Sequence, residues 1–243
     1  MKHLYVILII PFLMACVSRS NKLEHPTNKD LMELEYLVRQ QQDTTKEAPL
    51  LILLHGYGSN EGDLFSLADK IPDSWLVVSA RAPIVIDDNR FKWYDVKMVN
   101  NKITMNFDNE ETSRKSILVL TDKITTKYKV DKKRIVIAGF SQGANMALGL
   151  ALTEPGKIQA AACFSGRFME EIKPLIKNKK ALKAKQVFIA HGSQDKMLPL
   201  RYAEENQTIL EGFGINVKRS TDEIGHSISA KQVNDFVAWM QDL

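Results

Sequence analysis

Arg134-Ile-Val-Ile-Ala-Gly-Phe-Ser-Gln-Gly143 is the stretch of the sequence on which the fold depends. Its first half is an apolar run typical of a buried β-strand, and the residues after Gly143 are small ones, typical of a helix packed closely on a sheet. A glycine two residues to either side of Ser141 leaves room for a sharp turn between strand and helix. Such a turn would hold the Ser141 hydroxyl exposed on a strained backbone, as in a nucleophile elbow.

The rest of the chain alternates short β-rich runs with longer helical segments, which is typical of a mostly parallel sheet with helices on both faces. The other predicted strands are Glu33–Arg39, Pro49–Leu54, Trp75–Ser79, Ile158–Phe164, Gln186–Ala190 and Ile215–Arg219. The predicted helices are Glu61–Lys70, Glu110–Tyr128, Gln142–Thr153, Leu200–Gly212 and Ala230–Gln241. Pro83–Asn109 shows no clear period, so we interpret it as a long irregular insertion, a feature that is often functional.

The length and composition favour one large α/β domain over residues 31–243. The chain has 243 residues, 44% hydrophobic and 26% charged, which is ordinary for a packed globular protein and leaves little room for a second core. The net charge of +4 is modest. The basic segment Lys173–Lys185 has no interleaved aromatic residues, so we expect a solvated surface there and no nucleic-acid partner.

The first 30 residues are interpreted as a signal and a tether. Residues 1–15 combine a short basic start with an apolar run that has the length of a secretory signal core. The run ends at Ala15 before Cys16, which resembles the lipobox of bacterial lipoproteins, where a cysteine carries the lipid. Residues 16–30 are polar and unpatterned, as in a flexible tether. We therefore expect a protein anchored by lipid on Cys16 in the bacterial cell envelope, on the periplasmic face or the cell surface; the alternative is a secreted protein.

An unactivated serine hydroxyl is a poor nucleophile and needs a general base. The chain has five histidines. His3 falls in the signal and His25 in the tether. His55 and His191 each end an apolar strand before a glycine, where a histidine often bonds the adjoining turn. His226 lies between the last predicted strand and the final helix, where α/β-hydrolase elbows find their base, so we assign the base to it.

The base in turn needs a carboxylate that fixes its tautomer and stabilises the imidazolium. Asp195 follows the strand that ends at Ala190, which puts it at the carboxyl edge of the sheet, where open α/β sheets hold their sites. Asp222 is the competitor, but it is so near His226 in the sequence that a well-aimed hydrogen bond would need a tight loop. We assign Ser141, Asp195 and His226 as the catalytic residues.

Acyl transfer also needs donors for the oxyanion. The backbone N–H of Gln142, directly after the nucleophile, is one of them. His55-Gly-Tyr-Gly58 follows an early strand, and its glycines would let the backbone approach a substrate closely. We therefore predict the Tyr57 N–H as the second donor.

With these pieces in place, the chain resembles the phospholipase/carboxylesterase family of α/β-hydrolases, which includes acyl-protein thioesterases and small bacterial carboxylesterases. The resemblance runs from about Glu33 to the C-terminus. It rests on Leu54-His-Gly-Tyr-Gly-Ser-Asn60, Arg81-Ala-Pro83, Trp93-Tyr-Asp95, Gly139-Phe-Ser-Gln-Gly-Ala144, His191-Gly-Ser-Gln-Asp195 and Gly225-His226. It implies an α/β-hydrolase fold and a single-domain esterase without a cofactor. It also implies that Trp93 and Tyr94 border the acyl pocket; packing under a loop is the alternative for both.

We therefore predict a serine esterase that cleaves carboxylic esters of small molecules or lipids through an acyl-enzyme on Ser141. A peptidase, thioesterase or transacylase on the same triad is the alternative, and an inactive ligand-binding lipoprotein is less favoured. No H-E-x-x-H or paired Cys/His spacing indicates a metal. Cys163 lies in an apolar run and is interpreted as a core residue. The membrane is the expected partner through the anchor, and a homodimer is left open.

Overall fold

Seven strands form the central sheet of the protein. The structure is a computed structural model that describes residues 31–99 and 102–243, so the predicted signal and tether lie outside the described residues. The strands are β1 (Tyr36–Arg39), β2 (Ala48–Leu54), β3 (Leu76–Ala80), β4 (Ile84–Asp87), β5 (Arg90–Lys92), β6 (Val96–Val99), β7 (Lys102–Met105), β8 (Val130–Phe140), β9 (Ala160–Phe164), β10 (Gln186–Gly192) and β11 (Asn216–Asp222). The sheet order is β1-β3-β2-β8-β9-β10-β11. β1 is antiparallel to β3, and the other pairs are parallel.

Helices cover both faces of this sheet. They are α1 (Glu61–Phe65), α2 (Phe107–Lys127), α3 (Gln142–Thr153), α4 (Lys179–Leu182), α5 (Arg201–Gly212) and α6 (Ala230–Gln241), with 3-10 helices at Ser66–Lys70 and Glu170–Leu175. Successive side chains of a strand point to opposite faces. Leu50, Ile52 and Leu54 accordingly join one core with α2, α3 and α5, whereas Leu51 and Leu53 join the other with α1 and α6. The residues of β2 are all buried, which explains the continuous apolar run.

The predicted α/β-hydrolase architecture is confirmed, with shifts at the ends of elements. α3 and α6 have the predicted bounds, and the predicted helix Glu61–Lys70 divides into α1 and a 3-10 turn. The prediction of an irregular insertion at Pro83–Asn109 was wrong, because this segment contains the hairpins β4–β5 and β6–β7. Strands of three or four residues are too short for an alternating pattern to be distinguished from a loop.

The turn from β8 into α3 is held by close backbone contacts. Ser141 has φ 53° and ψ −113°, a conformation that costs about 1–3 kcal/mol outside glycine. A Cβ added at Gly143 would overlap the carbonyl oxygen of Leu54, and one at Gly139 would overlap that of Gly143. The Ser141 N–H donates to the carbonyl of Phe164 at 2.8 Å, which ties the turn to the end of β9.

In the part of the chain that the structure describes, no helix combines the length and the apolarity needed to cross a membrane.

Replacing Gly143 by Ala tests the close contact between α3 and β2. We expect a loss of about 3 kcal/mol or more in the free energy of unfolding, because the added methyl group overlaps backbone atoms that cannot rotate away. The measurement is urea unfolding. Gly149→Ala, on the same helix, is the matched control: its Cβ would meet the Met169 Cε at 3.5 Å, an ordinary contact, so it should keep or gain stability. Equal stability of the two variants would contradict the account.

Candidate active site

The three sequence-assigned catalytic candidates follow three different strands at one edge of the sheet. Ser141 comes directly after β8, Asp195 lies in the loop after β10, and His226 lies in the loop after β11. These strands are parallel, so their carboxyl ends meet at the same edge. The structure brings the three side chains into contact although 31 and 85 positions of sequence separate His226 from the other two.

Two hydrogen bonds connect the three groups. His226 Nε2 lies 2.9 Å from Ser141 Oγ, and His226 Nδ1 lies 2.7 Å from Asp195 Oδ2. A carboxylate accepts hydrogen bonds and does not donate them, so Nδ1 carries the proton and Nε2 is free to accept the Ser141 hydroxyl. The ring of Phe140 packs against the imidazole with 4.9 Å between centroids, which limits the rotation of the histidine. This tautomer is the one that a general base needs.

Asp195 is held rigidly. Its second oxygen, Oδ1, accepts the N–H groups of Met197 at 2.9 Å and Leu198 at 2.8 Å, and the residue is 5% exposed. The fully buried His191 supports the same loop, because its Nε2 donates to the Leu198 carbonyl at 2.7 Å. The carboxylate therefore faces His226 in one fixed orientation.

The histidines and the aspartate set aside on sequence grounds have local partners. His55 Nδ1 donates to the Gly56 carbonyl at 2.7 Å, while Nε2 accepts the Ala82 N–H at 3.0 Å. Burial lowers the pKa of His55, which keeps this bridging imidazole neutral. Asp222 accepts the N–H of Glu223 at 3.0 Å, and its pKa is lowered mainly by a hydrogen bond from Ser229. Asp222 thus forms hydrogen bonds within its own loop, and Asp195 is the carboxylate that accepts a hydrogen bond from His226.

Tyr57 and Gln142 are the residues whose backbone amides are predicted to be the oxyanion donors. Both residues line the same pocket as Ser141. Within the described ranges, neither N–H donates to a protein acceptor, so both remain available to a ligand. Gln142 is the first residue of α3, whose N–H has no partner inside the helix.

The segment before α2, which lacked a clear sequence pattern, holds these two amides in place. Gly58 N–H donates to the Phe91 carbonyl and Phe91 N–H to the Ser59 carbonyl, both at 2.8 Å, so β5 fixes the loop that carries Tyr57. The Gln142 side chain accepts the Trp93 N–H and donates to the Tyr94 carbonyl, also at 2.8 Å each.

Trp93 and Tyr94 take different places. Tyr94 lines the pocket beside Ser141, and burial raises its pKa to about 12. Trp93 is 0% exposed and packs against the His55 ring, with its Nε1 donating to the His55 carbonyl at 2.8 Å. The expectation that Trp93 borders the pocket is therefore wrong. The buried indole N–H needs an acceptor, and the carbonyl of His55 at the start of the Tyr57 loop is that acceptor.

The pocket beside Ser141 has a volume of about 240 Å³. Val96, Met197 and Leu198 form its apolar wall, and the charged group that lines it is Arg167. A second cavity of about 370 Å³ is lined by His226 together with Leu64, Phe140 and Ile228 among others. Arg167 and this apolar wall could not be predicted from the sequence, because these residues carry no motif and become neighbours only through the sheet topology.

Two further buried groups lie outside the triad. Cys163 is 0% exposed and burial raises the pKa of its thiol to about 12, which agrees with a core residue. Glu110 in α2 is also 0% exposed; its Oε1 accepts from Arg114 at 3.1 Å, and its Oε2 has no partner among the described residues. Burial raises the pKa of Glu110 to about 7, against the opposing effect of Arg114.

No group of three or more metal-ligating side chains occurs in residues 31–99 or 102–243.

Serine hydrolases of the α/β-hydrolase class carry the nucleophile on a strained turn after a central strand, with acid and base on later loops of the same sheet edge. The fold and the site assign the chain to this class. Comparison with known proteins narrows the assignment. The model of the phospholipase/carboxylesterase family matches residues 37–242, so the chain belongs to that family.

Individual relatives agree with the family. Acyl-protein thioesterase 1 of Eremothecium gossypii is 28% identical over 207 residues, which cover 78% of this chain and 86% of that protein. Esterase YpfH of Escherichia coli is 26% identical over 212 residues, which cover 83% and 85%. The crystal structure of the Bacillus cereus carboxylesterase superposes with a TM-score of 0.73 at 25% identity, over 86% of this chain and 94% of that one. The protein is therefore a serine hydrolase that acts on carboxylic esters.

Replacing Glu110 by Gln tests the burial of this carboxyl group. Its pKa is about 7 in the folded protein against 4.5 as the ordinary value, so the folded state holds an extra proton between these pH values. The stability contributed by this group is complete below pH 4.5 and is lost as the pH rises through about 7. The loss amounts to about 3 kcal/mol.

Urea unfolding of the wild type and of Glu110→Gln, between about pH 5 and about pH 8, provides the measurement. The difference in unfolding free energy should move in favour of the variant as the pH rises. Taking the difference also removes the effect of His55, whose lowered pKa acts with the opposite sign. A difference that does not change with pH would contradict the assignment.

Proposed function

We propose that Ser141, His226 and Asp195 form a catalytic triad that hydrolyses carboxylic esters through an acyl-enzyme on Ser141. The observation that carries the proposal is the pair of hydrogen bonds at His226, 2.9 Å to the serine and 2.7 Å to the aspartate. Both lengths lie within the reach that proton transfer requires.

The reaction proceeds in two steps. His226 Nε2 takes the Ser141 proton as Oγ attacks the ester carbonyl, and Asp195 stabilises the imidazolium that forms. His226 then gives the proton to the departing alcohol, which leaves the acyl group on Oγ. His226 then takes a proton from a water molecule as the water oxygen attacks the acyl-enzyme. His226 passes this proton to Ser141 Oγ as the acid is released.

The Tyr57 and Gln142 amides are the oxyanion donors in this mechanism. Their N–H groups are free of protein acceptors within the described residues and border the serine pocket. A donor of this kind typically contributes ~3–4 kcal/mol to the transition state. Because both are backbone groups held by hydrogen bonds to neighbouring loops, they need no rearrangement when the charge forms.

The acyl group enters the pocket beside Ser141. At about 240 Å³ the pocket lies below the ~300–1,000 Å³ of common small-molecule sites, so short acyl chains are the preferred substrates. Tyr57, Val96 and Met197 are exposed apolar side chains that line this pocket, and they favour an acyl group with an apolar chain. Thioesters react through the same acyl-enzyme, and the names of the thioesterase relatives support including them in a substrate panel.

Ser141→Ala tests the nucleophile. Turnover of p-nitrophenyl acetate or butyrate should fall by about 10⁶-fold, because the triad acts as a unit. Ser165→Ala is the matched control: Ser165 also follows a strand directly and has a positive φ of 48°, but no hydrogen bond joins it to His226 in the described chain. Near-normal turnover by Ser141→Ala, or loss of turnover in the control alone, would refute the assignment.

We also propose that the mature protein is held at a bacterial envelope membrane by lipid on Cys16. The support is the sequence pattern together with the point at which the chain enters the domain. Tyr36 pairs with Ala80, so β1 begins at the carboxyl end of β3, the edge that carries Ser141. A tether that enters the domain at this edge would leave the pocket on the side of the domain nearest to the anchor.

Cys16→Ser tests the anchor. The full-length wild type, expressed in a bacterium, should partition into a detergent phase and carry a diacylglycerol mass on its first residue, whereas the variant should stay in the aqueous phase with its esterase activity intact. More than one acyl chain gives lasting attachment, so the shift should be nearly complete. An aqueous, unlipidated wild type would support the secreted alternative instead.

A further inference from the structure

Arg167 introduces a positive charge into the pocket of Ser141. It is half-buried and follows β9 in the loop that leads to the Glu170–Leu175 turn. The other described residues that line the pocket are apolar or neutral: Tyr57, Tyr94, Val96, Ser141, Gln142, Asn145, Met197 and Leu198. A guanidinium in such surroundings loses part of its hydration, and this costs free energy unless an acceptor or an anion replaces the lost water.

No such partner is found in residues 31–99 or 102–243. No carboxylate lies within 4.0 Å of the Arg167 guanidinium, and no protein acceptor takes a hydrogen bond from it. Five other arginines each form an ion pair, namely Arg39, Arg81, Arg90, Arg114 and Arg134, whereas Arg201 and Arg219 have none among the described residues but do not line this pocket. The donors of Arg167 are thus left for a ligand.

The backbone that carries Arg167 is fixed by two buried asparagines. Its N–H donates to Asn145 Oδ1 at 2.7 Å, and Asn145 Nδ2 donates to the Tyr94 hydroxyl at 2.8 Å. On either side of Arg167, Asn206 accepts the Phe168 N–H at 2.6 Å and donates to the Gly166 carbonyl at 3.0 Å. Asn145 lies one helical turn after Ser141, so the base of the arginine side chain is tied to the helix that carries the nucleophile.

The positions of the two cavities indicate which half of the substrate meets Arg167. His226 protonates the departing alcohol, so the alcohol lies on the histidine side, where the cavity of about 370 Å³ is lined by His226 but not by Ser141. The acyl group then occupies the pocket that Ser141, Arg167 and the oxyanion donors share. An anion at the far end of a short acyl chain would meet the guanidinium there.

We propose that Arg167 is a specificity-determining residue that binds a carboxylate at the end of the acyl group, so that the preferred substrates are monoesters of short dicarboxylic acids. The proposal rests on the proposed triad mechanism. A guanidinium binds a carboxylate through two parallel hydrogen bonds, a geometry that a neutral amide cannot match. The apolar wall formed by Val96, Met197 and Leu198 accommodates the methylene groups between the two carbonyl carbons.

The test compares two esters that differ in charge but hardly in shape: monoethyl glutarate and the ethyl ester of glutaric acid monoamide. Ethanol release is measured with the wild type, Arg167→Gln and Arg167→Lys. The wild type should prefer the anionic ester, and Arg167→Gln should lower kcat/KM for it by ~10- to 100-fold, as expected for a hydrogen-bonded charge. The loss for the amide should be clearly smaller, because its neutral carbonyl accepts a weaker hydrogen bond from the guanidinium. Arg167→Lys should restore part of the preference, because it keeps the charge but loses the planar fork.

A second measurement separates recognition from a structural effect. Free glutarate should inhibit hydrolysis of the neutral ester competitively in the wild type and only weakly in Arg167→Gln. Equal losses for both esters in Arg167→Gln, or no preference for the anion in the wild type, would overturn the inference while leaving the triad intact. Hydrolysis that persists in Ser141→Ala would instead refute the proposed function itself.

Discussion

The contact between the start of α3 and the end of β2 is the constraint from which the site follows. Gly143 lies so close to the Leu54 carbonyl that no Cβ fits between them. This approach places Gln142, the residue before Gly143, next to the loop that begins after Leu54 and carries Tyr57. The same turn contains the positive φ of Ser141, and Tyr57 and Gln142 line one pocket with that serine. The positions of the nucleophile and of the proposed oxyanion donors therefore depend on the same contact between α3 and β2.

The acid and the base depend on a second, polar network. Asp195 has three donors around its two oxygens, from His226, Met197 and Leu198, and His191 fixes the carbonyl of Leu198 from the other side. In a buried site, each of these hydrogen bonds favours one orientation, because an alternative would leave a polar group without a partner. His226 is therefore held between the aspartate and the serine before a substrate arrives.

The sequence predicted those parts of the fold and site whose signal is local. The apolar run of β2, the glycine spacing around Ser141 and the capped helix α6 each depend on contacts within a short segment, and they were located correctly. The assignment of His226 over His55 used the order of elements along the chain, and that of Asp195 over Asp222 used the short sequence distance between Asp222 and His226. Trp93, Arg167 and the hairpins β4–β5 and β6–β7 could not be placed in this way. Their surroundings come from residues distant in the chain, such as Gln142 and Asn145, and no periodicity records such contacts.

The most direct test of the account is to locate the nucleophile chemically. The folded full-length protein is treated with diisopropyl fluorophosphate, digested and analysed by peptide mass spectrometry, with activity followed in parallel. We expect one phosphoryl adduct, on Ser141, whose extent matches the loss of esterase activity. An adduct on Ser165 or another residue in proportion to the lost activity, or an active esterase that forms no adduct at all, would contradict it.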